Sequence, residues 1–420
     1  MKRLLVLVAL MAGVLQLNAQ EKREINYDES AVPAYILPDL LTCLDGQPVK
    51  SVTEWETVRR PEIMHILATQ EYGLTPQTAI EMKSKLMAED PHALVGIATS
   101  QQVMLTFSGQ GKTVKALLLA YIPNQLQGKV PVVVGYNFQG NHSMSLDENI
   151  LYSPFFERLT DRNDPQLKRG IQMNRWPLEM IVKRGYALVT MDYQDIYPDN
   201  PAGEPLSVIS LFPPSKDNDT KWQAIGAWAW GSSRMADWVE QQPWADQERL
   251  VIMGHSRQGK AALWTGAQDT RFRVVISNDS GCGGAALSKR QFGEDIATIV
   301  NSFPHWFCPA FNQYADREES LSFDQHYLLA MIAPRHLYVA SAQEDRWADP
   351  KGEFLATVAT APVYRLYGLD GIAGSQMPAI HQPLMQHTGY HIRAGVHDVT
   401  DYDWQCYLDF CDKAFSIKRE

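Results

Sequence analysis

From Lys129 onward the chain repeats one hydrophobic pattern. Short unbroken apolar runs, "KVPVVVGYNF", "YALVTMDY", "RLVIMGHS", "RVVISNDS", "HLYVASAQED" and "VYRLYG", alternate with longer stretches in which apolar residues recur at helical spacing. An unbroken β-branched run suits a strand covered on both faces. The stretches between, "WPLEMIVKRG", "AIGAWAWGSSRMADWVEQ" and "GKAALWTGAQD", each offer one side of a helix for burial. This alternation predicts an α/β fold with a mostly parallel central sheet, right-handed crossovers and helices on both faces. Upstream, "VMLTF" and "VKALLLAYIP" flank the turn signal "SGQGK" and predict a hairpin. Residues 20–100 otherwise mix short polar and apolar pieces rich in proline, with "WETVRRPEIMHILATQEYG" as one helix; "YDWQCYLDFCDKAF" is the closing helix. With no internal repeat or linker, the expected organisation is a lead-in over 20–100 packed on a single domain over 101–420.

Composition changes this picture in three places. Residues 1–19 put two basic residues before about a dozen mostly apolar ones, too few to span a bilayer, which predicts a secretory signal cut near Ala19 and an exported protein, periplasmic or extracellular. The formal charge of −10 becomes about −12 once Lys2 and Arg3 leave, which argues against nucleic acid as a partner; no membrane partner is expected, and a monomer is. Five cysteines are too few to build the fold, although export permits a bridge, with Cys282 and Cys308 the expected pair. No CxxC or HExxH occurs and the histidines lack zinc-site spacing, so no metal site is expected.

The candidate chemistry starts at "RLVIM-GHSRQG-KAALW", which reads as strand, tight turn and helix. Its glycine-framed Ser256 is read as a GxSxG-type nucleophile elbow, which makes the domain an α/β-hydrolase fold. A serine on so sharp a turn has strained dihedrals, and the flanking glycines let strand and helix approach closely. The competing reading is an ordinary surface serine. Its place after several strand–helix units and ahead of more strands favours the elbow.

A serine hydroxyl needs a base and an orienting carboxylate, in the chain order Ser, acid, His for this fold. His397, in "RAGVHDVTDYDW" just before the closing helix, fits the base position best, with His391 the competitor; His336 reads as structural and His255 as a packed neighbour turned away from the elbow. Two carboxylates compete for the third role: Asp345, which ends "HLYVASAQED", and Asp279, in "SNDSGCGG", for which a turn cap is the bland alternative. For the oxyanion, the Arg257 backbone N–H is the first donor, its guanidinium a further one, and the loop "NFQGNH" (137–142) the expected second backbone source. Lys260 lies one helical turn after Ser256 and returns to the same side, which points to a hydroxylated substrate rather than a lipid.

"GHSRQGKAALW", "SNDSGCGGAALSKRQFGE", "FPHWFCPAF", "EDRWADP" and "GYHIRAGVHDVTDYDWQCYLDF", in that order, resemble family 15 of the carbohydrate esterases, the glucuronoyl esterases. The resemblance runs from about residue 30 to the C-terminus. It implies hydrolysis of the ester between (4-O-methyl-)glucuronic acid on xylan and alcohols of lignin, so a glucuronoxylan or lignin–carbohydrate ester is the implied partner, with no cofactor. It also implies Ser256 as nucleophile, His397 as base and Arg257 as oxyanion donor, with Lys260, Glu294 and Trp347 holding the uronate. Asp279 stands where family members often carry Glu; the shorter reach favours Asp345 as the working acid. That departure leaves an acetyl xylan esterase or other carbohydrate esterase as the nearer alternative, and a non-catalytic carbohydrate-binding protein as the farther one.

Overall fold

The computed structural model describes residues 24–125, 128–159 and 163–418; the expected signal segment lies outside them. Ten strands form one sheet: β1 (Glu81–His92), β2 (Ala98–Gly109), β3 (Lys112–Pro123), β4 (Val130–Asn137), β5 (Ala187–Asp192), β6 (Ala245–His255), β7 (Phe272–Asn278), β8 (His336–Ala342), β9 (Leu384–Met385) and β10 (Thr388–Arg393). Their order is β1-β2-β3-β5-β4-β6-β7-β8-β10-β9. The six central strands from β5 to β10 run parallel. Antiparallel pairs finish both edges.

Five helices of ten or more residues stand among the described residues: α1 (Arg60–Gln70), α2 (Ala224–Val239), α3 (Arg257–Gln268), α4 (Pro350–Ala359) and α5 (Asp401–Ala414). The unbroken runs are explained by two apolar layers, one on each face of the sheet. Val132 and Val134 of β4 enter the layer that holds Trp228 of α2 and Trp264 of α3. Val133 enters the opposite layer with Ile181, Trp404 and Phe410. A strand buried on both faces has no polar position to alternate with.

The predicted β2–β3 hairpin is present, closing at Gly109 opposite Lys112. Two elements differ from the sequence reading. "VYRLYG" is not a strand: Ala361–Leu366 is a short helix with proline in its first turn, where a missing N–H costs nothing. The last parallel strand is instead β10, "TGYHIR". The polar run "EMKSKLMAEDPH" forms the edge strand β1, mostly exposed and without the alternation that marks a half-buried strand. Through β1 the lead-in joins the sheet, and Tyr72, just after α1, stacks on Trp264 with ring centroids 4.6 Å apart. All five cysteines are free thiols, so the expected Cys282–Cys308 bridge does not form. Cys282 sits in the turn after β7, whereas the Cys308 thiol faces the Thr69 carbonyl at the end of α1. No helix among the described residues is long and apolar enough to cross a membrane.

Candidate active site

Strand β6 runs straight into α3, and Ser256 between them has φ 57° and ψ −130°. Positive φ is unfavourable for a residue with a Cβ and persists only where its surroundings impose it. Here Ser256 N–H donates to the Asn278 carbonyl at 2.8 Å, tying the turn to β7. A Cβ on Gly254 would lie 1.9 Å from the Gln258 carbonyl oxygen, so the strand–helix approach requires glycine there. The frame departs from strict GxSxG spacing: Gln258, buried, stands two residues after the serine and Gly259 comes third. Gly259 serves a different contact, with a Cβ there 2.9 Å from the Ser280 side chain.

Ser256 lines a cavity of about 340 Å³ together with Arg257, Lys260, Asp279, Glu294, Phe303, Trp306, Asp345, Trp347 and His397. A wider depression of about 750 Å³ between residues 74–78 and 204–222 holds no comparable set of nucleophile, base and acid. The smaller cavity is therefore the candidate site, and it brings together the side chains expected from the sequence: Ser256, Arg257, Lys260, Asp279, Glu294, Asp345, Trp347 and His397.

His397 Nδ1 lies 2.6 Å from Asp345 Oδ2, with the histidine side chain 40% exposed and the aspartate 5%. This contact leaves Nε2 free to exchange a proton. His255 is packed, as expected, but is not turned away: its ring lies 4.5 Å from that of His397. Burial, helped by the His397 neighbour, pushes the His255 pKa well below the ordinary value, so it stays neutral beside His397. His391 is wholly buried in β10, accepting from Tyr338 OH and donating to Asp403, both at 2.9 Å. His336 opens β8, stacked on His387.

Asp279, at φ 44°, closes β7 in a different environment. Its Oδ1 accepts from the Ala342 N–H at 2.7 Å, and its buried Oδ2 has no hydrogen bond, the nearest cation being Arg393 at 3.6 Å. Burial first, then the Glu353 and Asp345 carboxylates, hold its carboxyl well above the usual range. Potential ligand atoms of Asp279, Asp345 and His397 lie within 4.8 Å of one another, the one such trio among the described residues. The Asp345–His397 contact already engages one nitrogen and one oxygen that an ion would need.

The Arg257 guanidinium pairs with Asp199 and lies over the rings of Trp306 (4.8 Å) and Phe303 (5.5 Å). Asp199 also accepts from His305 Nε2 and Trp306 Nε1, both at 2.8 Å, and from Tyr193 OH at 3.1 Å. Burial alone would raise its carboxyl; the His305, Arg257 and Trp306 donors overcome that and pull it down to about 2. Asp199, Phe303 and Trp306 received no role in the sequence reading. "FPHWFCPAF" was legible as an aromatic run, but Asp199 lies in the proline-rich turn "YPDNPAG" with nothing local to mark it.

Lys260 reaches the cavity from one turn along α3, its side chain 4% exposed. Its ammonium donates to the Ser280 and Cys282 carbonyls and stands 3.8 Å from Glu294 Oε2. Burial raises the Glu294 carboxyl despite the Lys260 charge. Trp347, 40% exposed, forms the rim, with its carbonyl accepting from Glu294 N–H at 2.9 Å. The "NFQGNH" loop follows β4 as expected, yet none of its six residues lines the cavity. Asn137, Asn141 and His142 are buried, and Phe138 packs on Tyr193 and His255.

The sequence model described as "Glucuronyl esterase, fungi" matches residues 170–368. A carbohydrate esterase, MZ0003, from an unknown prokaryotic organism is 40% identical over 402 residues, spanning 93% of this chain and 92% of that protein. The 4-O-methyl-glucuronoyl methylesterase of Schizophyllum commune is 26% identical over 344 residues, 79% of this chain and 74% of that one. A solved glucuronoyl esterase from Solibacter usitatus has a TM-score of 0.86 at 40% identity, covering 92% of this chain and 100% of that chain. A strained serine between strand and helix, a histidine–aspartate pair and relatives of this extent agree: the chain is a carboxylic ester hydrolase belonging to the glucuronoyl esterases, family 15 of the carbohydrate esterases.

Proposed function

We propose that the protein hydrolyses the ester between (4-O-methyl-)glucuronic acid side chains of xylan and lignin alcohols, through an acyl-enzyme on Ser256. The observation that carries this reading is the convergence in one cavity of Ser256, the His397–Asp345 pair and the buried Lys260–Glu294 pair beneath Trp347. A lipid esterase would not bury two charges in its acyl pocket, because each must be desolvated with no partner on the ligand. Sugar hydroxyls donate and accept, so they satisfy both charges, while an indole at the rim offers a face to the ring.

In the first step His397 takes the Ser256 proton as Oγ adds to the uronyl carbonyl, and Asp345 stabilises the imidazolium. Negative charge gathers on the carbonyl oxygen, opposed by the Arg257 N–H and guanidinium; one such donor is worth roughly 3 kcal/mol. Collapse expels the alcohol, which receives the proton from His397. Water, deprotonated by the same imidazole, then adds to the acyl-enzyme and releases the uronic acid with Ser256 restored. The signal-like residues 1–19 support export of the mature protein to the periplasm or beyond.

Assay of benzyl glucuronate beside a simple acetate ester tests this reading. Ser256→Ala is expected to abolish both activities while keeping the thermal unfolding curve; retained turnover would remove Ser256 from the mechanism. Lys260→Ala is expected to lose about tenfold in kcat/KM on the glucuronate, the worth of a charged hydrogen bond, and little on the acetate. Equal losses on both esters would count against sugar contact, and a wild type that prefers acetate would make the protein an acetyl esterase.

A further inference from the structure

His397 is the most exposed of the nucleophile, base and acid, yet a base must stand within hydrogen-bond reach of its proton. It sits in the connection between β10 and α5, where Val396 is also exposed. The buried His255 ring, 4.5 Å away, and the Asp345 carboxylate meet the imidazole, and the backbone of residues 394–398 decides whether it stands where they can hold it.

That backbone is wound over one buried side chain. Arg393, the last residue of β10, is 3% exposed. Its Nε donates to Asp403 Oδ2 at 2.8 Å, one Nη donates to the Ala394 carbonyl at 3.1 Å, and the other donates to the Asp398 carbonyl. The two carbonyls flank His397. Asp403 is itself held, because the same oxygen accepts from the Thr400 N–H and hydroxyl at 2.7 Å while its other oxygen accepts from His391. Gly395 has φ 101°, and a Cβ on it would come 3.3 Å from the Arg393 guanidinium, so the loop lies directly on that group. The Asp398 carboxylate is engaged elsewhere, by Arg175 Nε at 2.5 Å and Val399 N–H at 2.9 Å. The acid loop is tied in as well: Gln343 N–H donates to the Arg393 carbonyl and Glu344 N–H to that of Gly395.

We infer that Arg393 is the positioning residue of the base: anchored on Asp403, its guanidinium grips the carbonyls on both sides of His397 and fixes where the imidazole stands. The inference rests on the proposed reading of His397 as base. Arg393 does not line the cavity, so it acts through the loop and not on substrate. Only a planar fork with several fixed donors can span a carboxylate and two carbonyls at once; a lysine ammonium cannot.

The test uses Arg393→Lys and Asp403→Asn, with reactive serines counted by a fluorophosphonate so that kcat refers to competent sites. Arg393→Lys keeps the charge and is expected to lose about 100-fold in kcat with KM within about twofold, as for a base misplaced by about 1 Å. Fluorophosphonate capture of Ser256 should slow in parallel, since it needs the base but no sugar contact. Asp403→Asn, which loosens the anchor while keeping its shape, should lose about tenfold with the same split. A variant that unfolds at lower temperature yet turns over at the wild-type rate per reactive serine would make Arg393 a core ion pair and overturn the inference. Should the wild type cleave only the acetate, the substrate assignment falls and the clamp is read on acetate. A wild type that cleaves neither ester overturns the proposed function and this inference with it.

Discussion

The two sides of the cavity are held in place by different physics. On the proposed acyl side Lys260 and Glu294 are buried, 4% and 7% exposed, and the half-buried Arg257 is stacked on two rings beside a carboxylate with four donors. On the other side the His397 imidazole is 40% exposed, paired with Asp345, and stands on a loop whose Ala394 and Asp398 carbonyls accept from Arg393. A surface that recognises a sugar must be ordered before the sugar arrives, because desolvated ion pairs do not reorganise cheaply. A base gains and loses a full charge twice in each turnover, and partial exposure to water eases that change. On the proposed mechanism the acyl side is thus built for selectivity and the base side for proton traffic. Lesions on the two sides should leave different kinetic signatures.

The largest effect is expected from Asp345→Asn. The amide keeps the shape of the contact at His397 Nδ1 but cannot stabilise an imidazolium and can select the wrong tautomer. The expected loss is about 10³- to 10⁴-fold in kcat with KM little changed. A loss below about tenfold would mean that the base is supported from elsewhere, and Asp279 would be the first group to suspect.

Next comes Asp199→Asn on the acyl side. The change removes the counter-charge of Arg257 but leaves the indole and phenyl rings that flank it, so the guanidinium should stay in the cavity with a looser orientation. The expected loss is about 10- to 100-fold in kcat, below the cost of deleting an oxyanion donor outright. Unlike Lys260→Ala, it should fall equally on glucuronate and acetate esters, because every ester develops the same oxyanion. A loss confined to the glucuronate would move Arg257 from oxyanion stabilisation to sugar binding.

What could be read from the sequence follows the same division. Ser256, Lys260, Asp345 and His397 could be placed from the sequence because each follows a strand end within a few residues or one turn of helix, where local pattern predicts position. Asp199 and Arg393 were not, because their work lies in contacts: Asp199 meets Arg257 across 58 positions of chain, and Arg393 looked like one more residue of "GYHIRAG". In the fold, five of the six buried parallel strands were legible from their unbroken apolar runs, and β10, "TGYHIR", was not. "VYRLYG" misled because a six-residue apolar run fits a strand or a buried helical turn equally well, and the proline before it was the only sign of a helix. Strand β1 was hidden because it is an exposed edge that pairs on one side only, so its sequence carries charge instead of alternation.

The smallest kinetic effect is expected from Asp279→Asn, although a carboxylate oxygen of this residue lies within 4.8 Å of a His397 ring nitrogen. Its carboxyl is held well above the usual range by burial and by Glu353 and Asp345, which favours the uncharged form that an amide imitates. Asn can still accept from the Ala342 N–H, and turnover should change by less than about tenfold. Stability should respond more clearly than activity. A carboxyl whose folded pKa exceeds its unfolded value of 3.8 binds its proton more tightly when folded. Its contribution is therefore complete below 3.8 and lost as the pH rises above it. The asparagine variant escapes that loss, so chemical denaturation should find it matching the wild type near pH 3.5 and gaining on it as the pH rises to 7. A variant that instead weakens relative to the wild type over that range would show that Asp279 is ionised in the fold, paired with Arg393 across the 3.6 Å gap and carrying charge on the base side.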